Sequence, residues 1–431
     1  MSLKAYRAAL LHALDDPARA PEATVWHDDG LLVVDGGHVA GFGAYADIVR
    51  TLPEGTPVEA LPGRLITPGF VDAHTHYPQT DVMAAWGSQL LDWLNTHTFP
   101  AELAFADRAH ADEAAAFFLD QLLRHGTTSA LVFCTVHKTS VDALFEAALA
   151  RGMRLVAGKV LMDRGAPPGL CDTVESGRTD SEALISAWRS RGRLGYAVTP
   201  RFAVTSTDAQ LAMAGQLVAA HPDVLVHTHL SENLAEIEQV AQLFPDAADY
   251  LDVYARHGLL TDRSVFAHCV HTSEDSLRRM AAAGASAAFC PSSNLLLGSG
   301  LFSLRRACAC GVNVALGTDV GAGSSFFLPQ MMGEAYKVGQ LLGETLDPLR
   351  AFYMATLAGA RALKVEDRIG NLLPGKEADF LVLDLAATPL LARRIAGAAT
   401  WPEKLFALSL LADDRVVERT YLAGTAAHRR V

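Results

Sequence analysis

Short apolar runs of strand length alternate with longer amphipathic stretches over most of the chain. Between residues 107 and 124, for example, Ala114, Phe117, Phe118 and Leu122 recur at helical spacing. Such alternation predicts βαβ units and a parallel sheet. We count eight strand-length runs, the number in a (β/α)8 TIM-like barrel, at 65–71, 129–133, 154–161, 194–198, 224–226, 264–267, 286–289 and 312–316.

Strand-like segments also occur near both ends of the chain. Residues 31–42 hold two β-branched runs around a Gly-Gly pair, which predicts a hairpin. Residues 379–384 and 415–422 look like strands too, with an amphipathic stretch at 390–411 between them. We therefore expect an α/β protein in which both chain ends form one small β-sandwich domain. The predicted division is 1–66 for the N-terminal part of that domain, 67–375 for the barrel and 376–431 for the C-terminal part that returns to it.

The composition narrows the class of protein. Of the 431 residues, 50% are hydrophobic and only 19% are charged, which excludes a disordered chain. The net charge is −12 and no basic run appears, so we expect a small-molecule partner and neither nucleic acid nor membrane. The six cysteines form no C-x-x-C pair, and the first residues show no leader-like apolar run. These features predict a cytoplasmic protein.

Polar residues follow the predicted strands at the end where a barrel carries its active site. The carboxyl ends of all eight strands meet on one face of the barrel, so we expect these side chains to converge. They are His74 and His76 after the first strand, Arg201 after the fourth, His229 after the fifth, His268 after the sixth and Asp319 after the eighth.

Four of these residues are candidate metal ligands: His74, His76, His229 and Asp319. Residues two apart on a strand point to the same side, so the two imidazoles of the H-x-H pair can face one ion. An isolated H-x-H pair is more often two core histidines, but the other ligand types at equivalent barrel positions favour a metal. Imidazoles with one carboxylate and an open position are typical of catalytic zinc; ligand type alone leaves iron or manganese open.

Glu232 and His268 are candidate catalytic residues beside the metal. Glu232 follows His229 by three residues, and a carboxylate there can accept a proton from metal-bound water and pass it to a substrate nitrogen. The alternative for Glu232 is a helix N-terminal acid that complements the macrodipole. Asp319 can be ligand and base, or a loop aspartate that stabilises a Gly-rich turn. We expect His268 to hydrogen-bond the attacking water or the substrate, and prefer a supporting or packing role for His227.

Several segments together resemble the metal-dependent amidohydrolase superfamily. They are PGFVDAHTH at 68–76, HLSE at 229–232, His268, GTD at 317–319 and PGKEADF at 374–380. A closer resemblance is to the guanine deaminases within that superfamily. It rests on PQ at 78–79, LDWLN at 91–95, TFPAE at 98–102, PRF at 200–202 and HLSEN at 229–233.

The resemblance implies a hydrolase that acts on a C–N bond of a cyclic amidine. Zinc-activated hydroxide would attack C2 of guanine while Glu232 shuttles the proton, giving xanthine and ammonia. One zinc ion per subunit would be held by His74, His76, His229 and Asp319, with Fe²⁺ as the alternative. The resemblance also implies a homodimer, and it makes Glu232, Asp319 and His268 the catalytic residues.

The expected purine site consists of Gln79, Trp93, Arg201, Phe202, His268 and Glu232. Arg201 can donate to O6 or N7 of guanine, and the Gln79 amide can both donate and accept. Phe202 and Trp93 offer flat apolar surface for the ring. Read singly, the same residues could be a surface arginine, a loop glutamine and two core aromatics.

Two alternatives to guanine deamination remain open at this point. A related amidohydrolase could act on another aminated heterocycle, such as an oxidised guanine, a pterin or an aminotriazine. The chain could also be a non-catalytic scaffold, although the complete ligand set argues against that. The zinc deaminase design with a P-C-x-x-C element is excluded, because the chain has none.

Overall fold

The computed structural model describes residues 3–87 and 89–430. Its strands are β1 (Lys4–Ala13), β2 (Thr24–Asp35), β3 (His38–Ala44), β4 (Val58–Pro68), β5 (Phe70–His76), β6 (Thr127–Phe133), β7 (Arg154–Gly158), β8 (Val160–Leu161), β9 (Leu194–Pro200), β10 (Leu225–Leu230), β11 (Ser264–His268), β12 (Ser286–Phe289), β13 (Asn313–Leu316), β14 (Phe380–Asp384), β15 (Val417–Leu422) and β16 (Thr425–Arg429). Its α-helices are α1 (Tyr45–Ile48), α2 (Leu90–Trp93), α3 (Phe99–Leu103), α4 (Arg108–Arg124), α5 (Lys138–Arg151), α6 (Val174–Trp188), α7 (Asp208–Ala220), α8 (Leu234–Leu243), α9 (Tyr250–Arg256), α10 (Glu274–Ala283), α11 (Pro291–Leu296), α12 (Leu304–Ala309), α13 (Leu328–Leu341), α14 (Pro348–Met354), α15 (Leu357–Ala362), α16 (Pro389–Ala396) and α17 (Trp401–Leu411).

Strands β5 to β13 form the predicted parallel (β/α)8 barrel. Their order is β5-β6-β7-β9-β10-β11-β12-β13, and the short β8 pairs with β9. β13 comes back beside β5, where the Asp319 N–H donates to the His74 carbonyl oxygen at 2.9 Å. That contact lies at the carboxyl end of the barrel and brings the first and last strands together at the site.

The first predicted barrel strand is in fact two strands that belong to different sheets. Residues 65–68 end β4 of the second sheet, and the barrel strand β5 begins at Phe70. The break falls at Gly69, where a Cβ would lie 2.1 Å from the Thr128 side-chain oxygen of β6, so only glycine fits. β5 then extends to His76, which places His74 and His76 within the strand and not after it.

The other seven strands form a second sheet from both chain ends, in the order β16-β15-β14-β4-β1-β2-β3. β14 runs antiparallel to β4, and β2 and β3 form the predicted hairpin, with φ of +56° at Gly36 and +88° at Gly37. The composite β domain is thereby confirmed and is hydrogen-bonded as one sheet. The division of the chain at residues 66 and 375 stays a prediction; residue 66 lies inside β4.

Ion pairs whose side chains are at most 15% exposed connect this sheet to the amino ends of the barrel strands. Arg154, the first residue of β7, pairs with Glu377, and Arg193, next to β9, pairs with both Glu377 and Asp379. The two acids lie just before β14. The contacts therefore tie the end of the chain to the barrel face opposite the candidate site.

The helices and the cysteines of the described residues were compared with the expectations from composition. None of the helices in the described segments is both long and apolar enough to cross a membrane. All six cysteines lie within the described ranges and are free thiols.

Candidate active site

All of the predicted site residues except His74 line one cavity at the carboxyl ends of the barrel strands. β5 and β10 deliver their histidines from within the strands, β11 ends on His268, and Arg201 follows β9 directly. The cavity is lined by His76, Gln79, Leu90, Trp93, Leu94, Arg201, Phe202, His229, Glu232, His268, Leu297, Asp319 and Ala322.

His74, His76 and Asp319 form the tightest part of a metal-ligand cluster. Asp319 Oδ1 lies 3.2 Å from His74 Nε2 and 3.1 Å from His76 Nε2, and the two Nε2 atoms are 3.2 Å apart. Ligand atoms of His74, His229 and His268 also lie within 4.8 Å of one another. The two groups share His74, so all four predicted ligands lie in one cluster, and His268 is also a member of it.

The charge states of this cluster suit a divalent cation. Burial lowers the pKa of His76 to about 3, and it also lowers the pKa values of His74 and His229. Although burial opposes ionisation of Asp319, hydrogen bonds with His74 and His76 hold its pKa well below the usual range. Neutral imidazoles and a carboxylate are the donors that such an ion requires.

Neighbouring groups fix the orientation of two of the imidazoles. His229 Nδ1 lies 2.7 Å from the Arg201 carbonyl oxygen, which directs Nε2 of His229 toward the cluster. His74 Nδ1 lies 2.8 Å from His227 Nε2. A hydrogen-bond partner on the far nitrogen is the usual means of orienting a metal-binding histidine. His227 therefore touches the cluster only through His74.

Asp72 connects the strand that carries the H-x-H pair to the loop that carries Asp319. Its carboxylate accepts hydrogen bonds from the Thr318 backbone at 3.0 Å, from the Thr318 hydroxyl and from the His74 backbone at 3.2 Å. The residue is fully buried. Asp72 thus sets the spacing between the two segments that supply three of the candidate ligands.

Unusual backbone conformations occur at the strand ends that orient the side chains of the site. His268 has φ of +68° and Asp319 has φ of +50°, both in the left-handed region that non-glycine residues avoid. Ser231, one residue before Glu232, has φ of +50°. A left-handed conformation at such a residue costs of order 1–3 kcal/mol of folding free energy. Strained conformations of this kind are concentrated at functional sites, where the surrounding structure holds them in place.

Glu232 lies at the edge of the cluster, buried and able to hold a proton near neutrality. Its Oε1 accepts from the Ser299 hydroxyl at 3.0 Å, and its Oε2 is 3.5 Å from His268 Nε2. Burial, together with the negative charges of Glu236 and Asp319, raises its pKa to about 7. An acid with such a pKa can both accept and donate a proton at physiological pH.

The alternative role of Glu232 as a helix N-terminal acid does not hold, because the helix begins two residues later. α8 begins at Leu234, and its N-cap is Asn233, which forms a capping box with Glu236. Glu236 Oε2 also accepts from the Glu232 backbone N–H at 2.9 Å. The Glu232 side chain is therefore not the cap of the helix and extends into the cavity.

His268 is held by Asn294 on one side and faces the acids on the other. Its Nδ1 lies 2.8 Å from Asn294 Oδ1, while Nε2 is 3.5 Å from Glu232 and 3.9 Å from Asp319. Burial acts against protonation, but the charges of Glu232 and Asp319 raise the His268 pKa. Asn294 lies in α11, which follows β12, and makes this direct hydrogen bond within the site.

The candidate purine-binding residues line the same cavity. Arg201 Nη1 donates to both oxygens of Glu102, at 2.8 and 3.0 Å, and Gln79 Nε2 donates to Glu102 Oε1 at 3.3 Å. Phe202 and Trp93 are buried and contribute apolar surface to the cavity wall. All four residues are thus beside the metal cluster, as the sequence predicts for a bound ring.

The family model described as "Amidohydrolase family" matches residues 65–427, which is most of the chain. This protein belongs to the amidohydrolase family. Amidohydrolases are metal-dependent, and the His/Asp cluster described above has the donors for that chemistry.

Curated and solved amidohydrolases resemble this chain over its full length. The guanine deaminase of Escherichia coli (strain K12) is 50% identical over 100% of this chain and 98% of its own length. The solved structure of E. coli guanine deaminase has a TM-score of 0.97 at 49% identity and covers 99% of this chain and 100% of the solved chain. A guanine deaminase from C. acetobutylicum, solved with guanine bound in its active site, has a TM-score of 0.89 at 28% identity and covers 99% and 100%.

Four residues of the site escaped the sequence-based prediction as functional groups: Asp72, Glu102, Asn294 and Ser299. Asp72 and Glu102 lie inside the motifs quoted above, so a signal for them was present. Asn294 lies in α11, and nothing in the pattern around Ser299 marks that residue as functional. Glu102, Asn294 and Ser299 each touch a predicted residue through a contact that depends on the tertiary fold, and Asp72 does so with Thr318, the neighbour of Asp319.

Proposed function

We propose that this amidohydrolase deaminates guanine to xanthine and ammonia, a step of purine catabolism. One observation carries the proposal: members of a His/Asp cluster, a glutamate whose pKa is raised to about 7, and an arginine and a glutamine that share the Glu102 carboxylate line one cavity. The full-length similarity to guanine deaminases supports guanine as the substrate. In the reaction the oxygen of water replaces the 2-amino group of the purine.

We assign zinc to the His/Asp cluster, one ion per subunit, with iron as the alternative. His74, His76, His229 and Asp319 would hold it, because three neutral imidazoles and one carboxylate match a catalytic zinc with an open position. Zinc bound there supplies a Lewis acid that makes water nucleophilic near neutral pH. The side chains around the cluster perform the remaining proton transfers.

Glu232 moves the protons in this proposal. Its carboxylate accepts a proton as the water oxygen bonds to C2, and delivers it to N3 of the ring. It then carries the proton of the new hydroxyl group to the amino nitrogen, and ammonia leaves as the C2–N bond breaks. His268, held by Asn294, hydrogen-bonds the attacking water, and Asp319 assists as a base.

The purine is bound by four side chains, those of Gln79, Arg201, Phe202 and Trp93. Arg201 donates to O6 or N7, and the Gln79 amide lies beside it to bond the adjoining edge of the ring. Phe202 and Trp93 supply apolar surface for the faces of the ring. Recognition by rim side chains explains how a protein with a net charge of −12 binds a neutral purine.

We further propose that the enzyme is a cytoplasmic homodimer. The free cysteines and the absence of any membrane-crossing helix among the described residues are compatible with that proposal. Sedimentation equilibrium of the purified protein tests the assembly, with twice the chain mass of 46.0 kDa expected.

Parallel ammonia-release assays test the substrate. Guanine, 8-oxoguanine, pterin and melamine are supplied at matched concentrations to the same enzyme preparation. We expect guanine to have the highest kcat/KM. If another of these heterocycles is turned over much faster than guanine, the family assignment stands but the proposed substrate is wrong.

A further inference from the structure

A buried carboxylate, that of Glu102, contacts Gln79 and Arg201, the two polar side chains proposed to recognise the purine. Glu102 lies in α3, is fully buried, and has no place in the metal cluster. Its Oε1 accepts hydrogen bonds from both Arg201 Nη1 and Gln79 Nε2, and its Oε2 accepts from Arg201 Nη1 as well. One carboxylate therefore contacts both recognition groups at once.

The contact with Glu102 fixes which way the Gln79 amide points. A carboxylate only accepts hydrogen bonds, so the amide must place its nitrogen toward Glu102. Gln79 has little room to move, because a Cβ at Gly321 would lie 2.3 Å from Gln79 Oε1, and Gly321 has φ of +119°. The Oε1 atom, which none of the described donors engages, is the amide atom left for a ligand. Gln79 lines the cavity, so the acceptor that it can offer a ligand there is Oε1.

Arg201 is fixed by the same carboxylate and presents the opposite polarity. Its Nη1 is committed to Glu102, and its guanidinium carbon lies 5.6 Å from the centre of the Phe99 ring. A guanidinium has five N–H donors and no acceptor, and Arg201 lines the cavity, so Arg201 can offer a ligand there only donors. The site therefore offers a ligand a donor from Arg201 beside an acceptor from Gln79. The hydrogen bonds with Glu102 hold both groups in these orientations.

We propose that Glu102 is a positioning residue that selects purines with a 6-oxo group over purines with a 6-amino group. A 6-oxopurine presents an accepting O6 beside a donating N1–H, which complements the Arg201 donor and the Gln79 acceptor. A 6-aminopurine presents a donating amino group beside an accepting N1, so it opposes both. This inference rests on the proposed function of the site, and adds the group that sets its polarity.

A pair of substrates that differ only at position 6 tests this inference. Guanine and 2,6-diaminopurine both carry the 2-amino group, and the Glu102→Gln variant replaces the acceptor with an amide that can donate or accept. The ratio of kcat/KM for guanine to kcat/KM for 2,6-diaminopurine should fall at least tenfold, mostly through KM for guanine. The exposed Glu113→Gln variant on the nearby α4 is the matched control and should leave the ratio unchanged.

The outcomes separate positioning from a merely structural role. If Glu102→Gln lowers kcat/KM for both purines equally, the inference is wrong. If that variant fails to fold, Glu102→Asp takes its place, because it retains the charge but withdraws the carboxylate from Gln79. The ratio of kcat/KM for guanine to kcat/KM for 2,6-diaminopurine should then fall at least threefold. An unchanged ratio overturns the inference.

A binding measurement keeps this test independent of turnover. Hypoxanthine and adenine carry the same difference at position 6 but lack the 2-amino group, so their affinities are measured without reaction by calorimetry. Wild-type protein should bind hypoxanthine more tightly than adenine, and the Glu102 variants should narrow the gap. Absence of ammonia release from guanine would refute the proposed function, whereas equal wild-type affinities for this pair would refute only the role of Glu102.

Discussion

Arg201 and Glu102 form an ion pair that is buried inside the mouth of the barrel. Arg201 Nη1 lies 2.8 Å from Glu102 Oε1, and neither side chain is more than 3% exposed. Breaking a buried pair by removing one partner leaves the other charge uncompensated. Arg201 therefore serves the proposed purine site and the stability of the barrel together.

We predict that Arg201→Ala weakens purine recognition far more than metal binding. Loss of a charged hydrogen bond, about 1.5–3 kcal/mol, corresponds to a fall of roughly 10- to 150-fold in kcat/KM for guanine. Steady-state kinetics and metal analysis check this, with exposed Arg393→Ala as the control. Unchanged kcat/KM would mean that Arg201 does not contact the substrate.

Glu232→Gln should retain metal but lose most turnover. The variant keeps the size and the Ser299 contact of the side chain but can no longer accept a proton, so kcat should fall by about 10²- to 10⁴-fold. Glu238→Gln, on the exposed face of the following helix, is the matched control and should behave as wild type. Substantial activity in the Glu232 variant would refute the shuttle role.

The pH profile should have an acid limb controlled by Glu232. Burial raises its pKa to about 7, so the side chain becomes protonated, and unable to accept a proton, as pH falls through that value. A cation bound in the cluster favours the carboxylate and lowers this pKa, which places the limb at or below about pH 7. The measurement is kcat/KM against pH in the metal-loaded enzyme. A limb well above pH 7 would exclude Glu232 as its source.

Arg193→Ala should destabilise the protein without altering the chemistry. The side chain pairs with Glu377 and Asp379 at the barrel face opposite the site. Its loss leaves the buried Asp379 carboxylate without an ion-pair partner, whereas Glu377 keeps Arg154. We expect a loss of about 3–5 kcal/mol in the free energy of unfolding, measured by denaturant titration. Arg191→Ala, an exposed neighbour, should cost far less. A Tm equal to that of wild type would show that these ion pairs do not secure the β domain.

Much of the fold could be predicted because strand-length apolar runs repeat with regular helices between them. The break at Gly69 was missed: Pro68-Gly69 is a turn signal, but the apolar residues on both sides of it favour one continuous strand. What separates them is the close approach of Thr128, which becomes visible only in three dimensions.

The candidate site, like the fold, contains some residues that the sequence predicts and others that it does not. His74, His76, His229 and Asp319 were predictable because each lies at or near the end of a barrel strand, where the topology brings side chains together. Glu102 lies on a short helix between β5 and β6, and its role depends on contacts with residues 23 and 99 positions away along the chain. No local pattern predicts such a contact.

Metal content measured together with ammonia release from guanine tests the central claim most directly. The purified enzyme is stripped with a chelator and reloaded with increasing zinc, and both quantities are followed in the same samples. We predict that ammonia release rises in proportion to bound zinc and saturates at one ion per chain. Full activity in metal-free protein, or no ammonia from guanine at one zinc per chain, would contradict a zinc-dependent guanine deaminase.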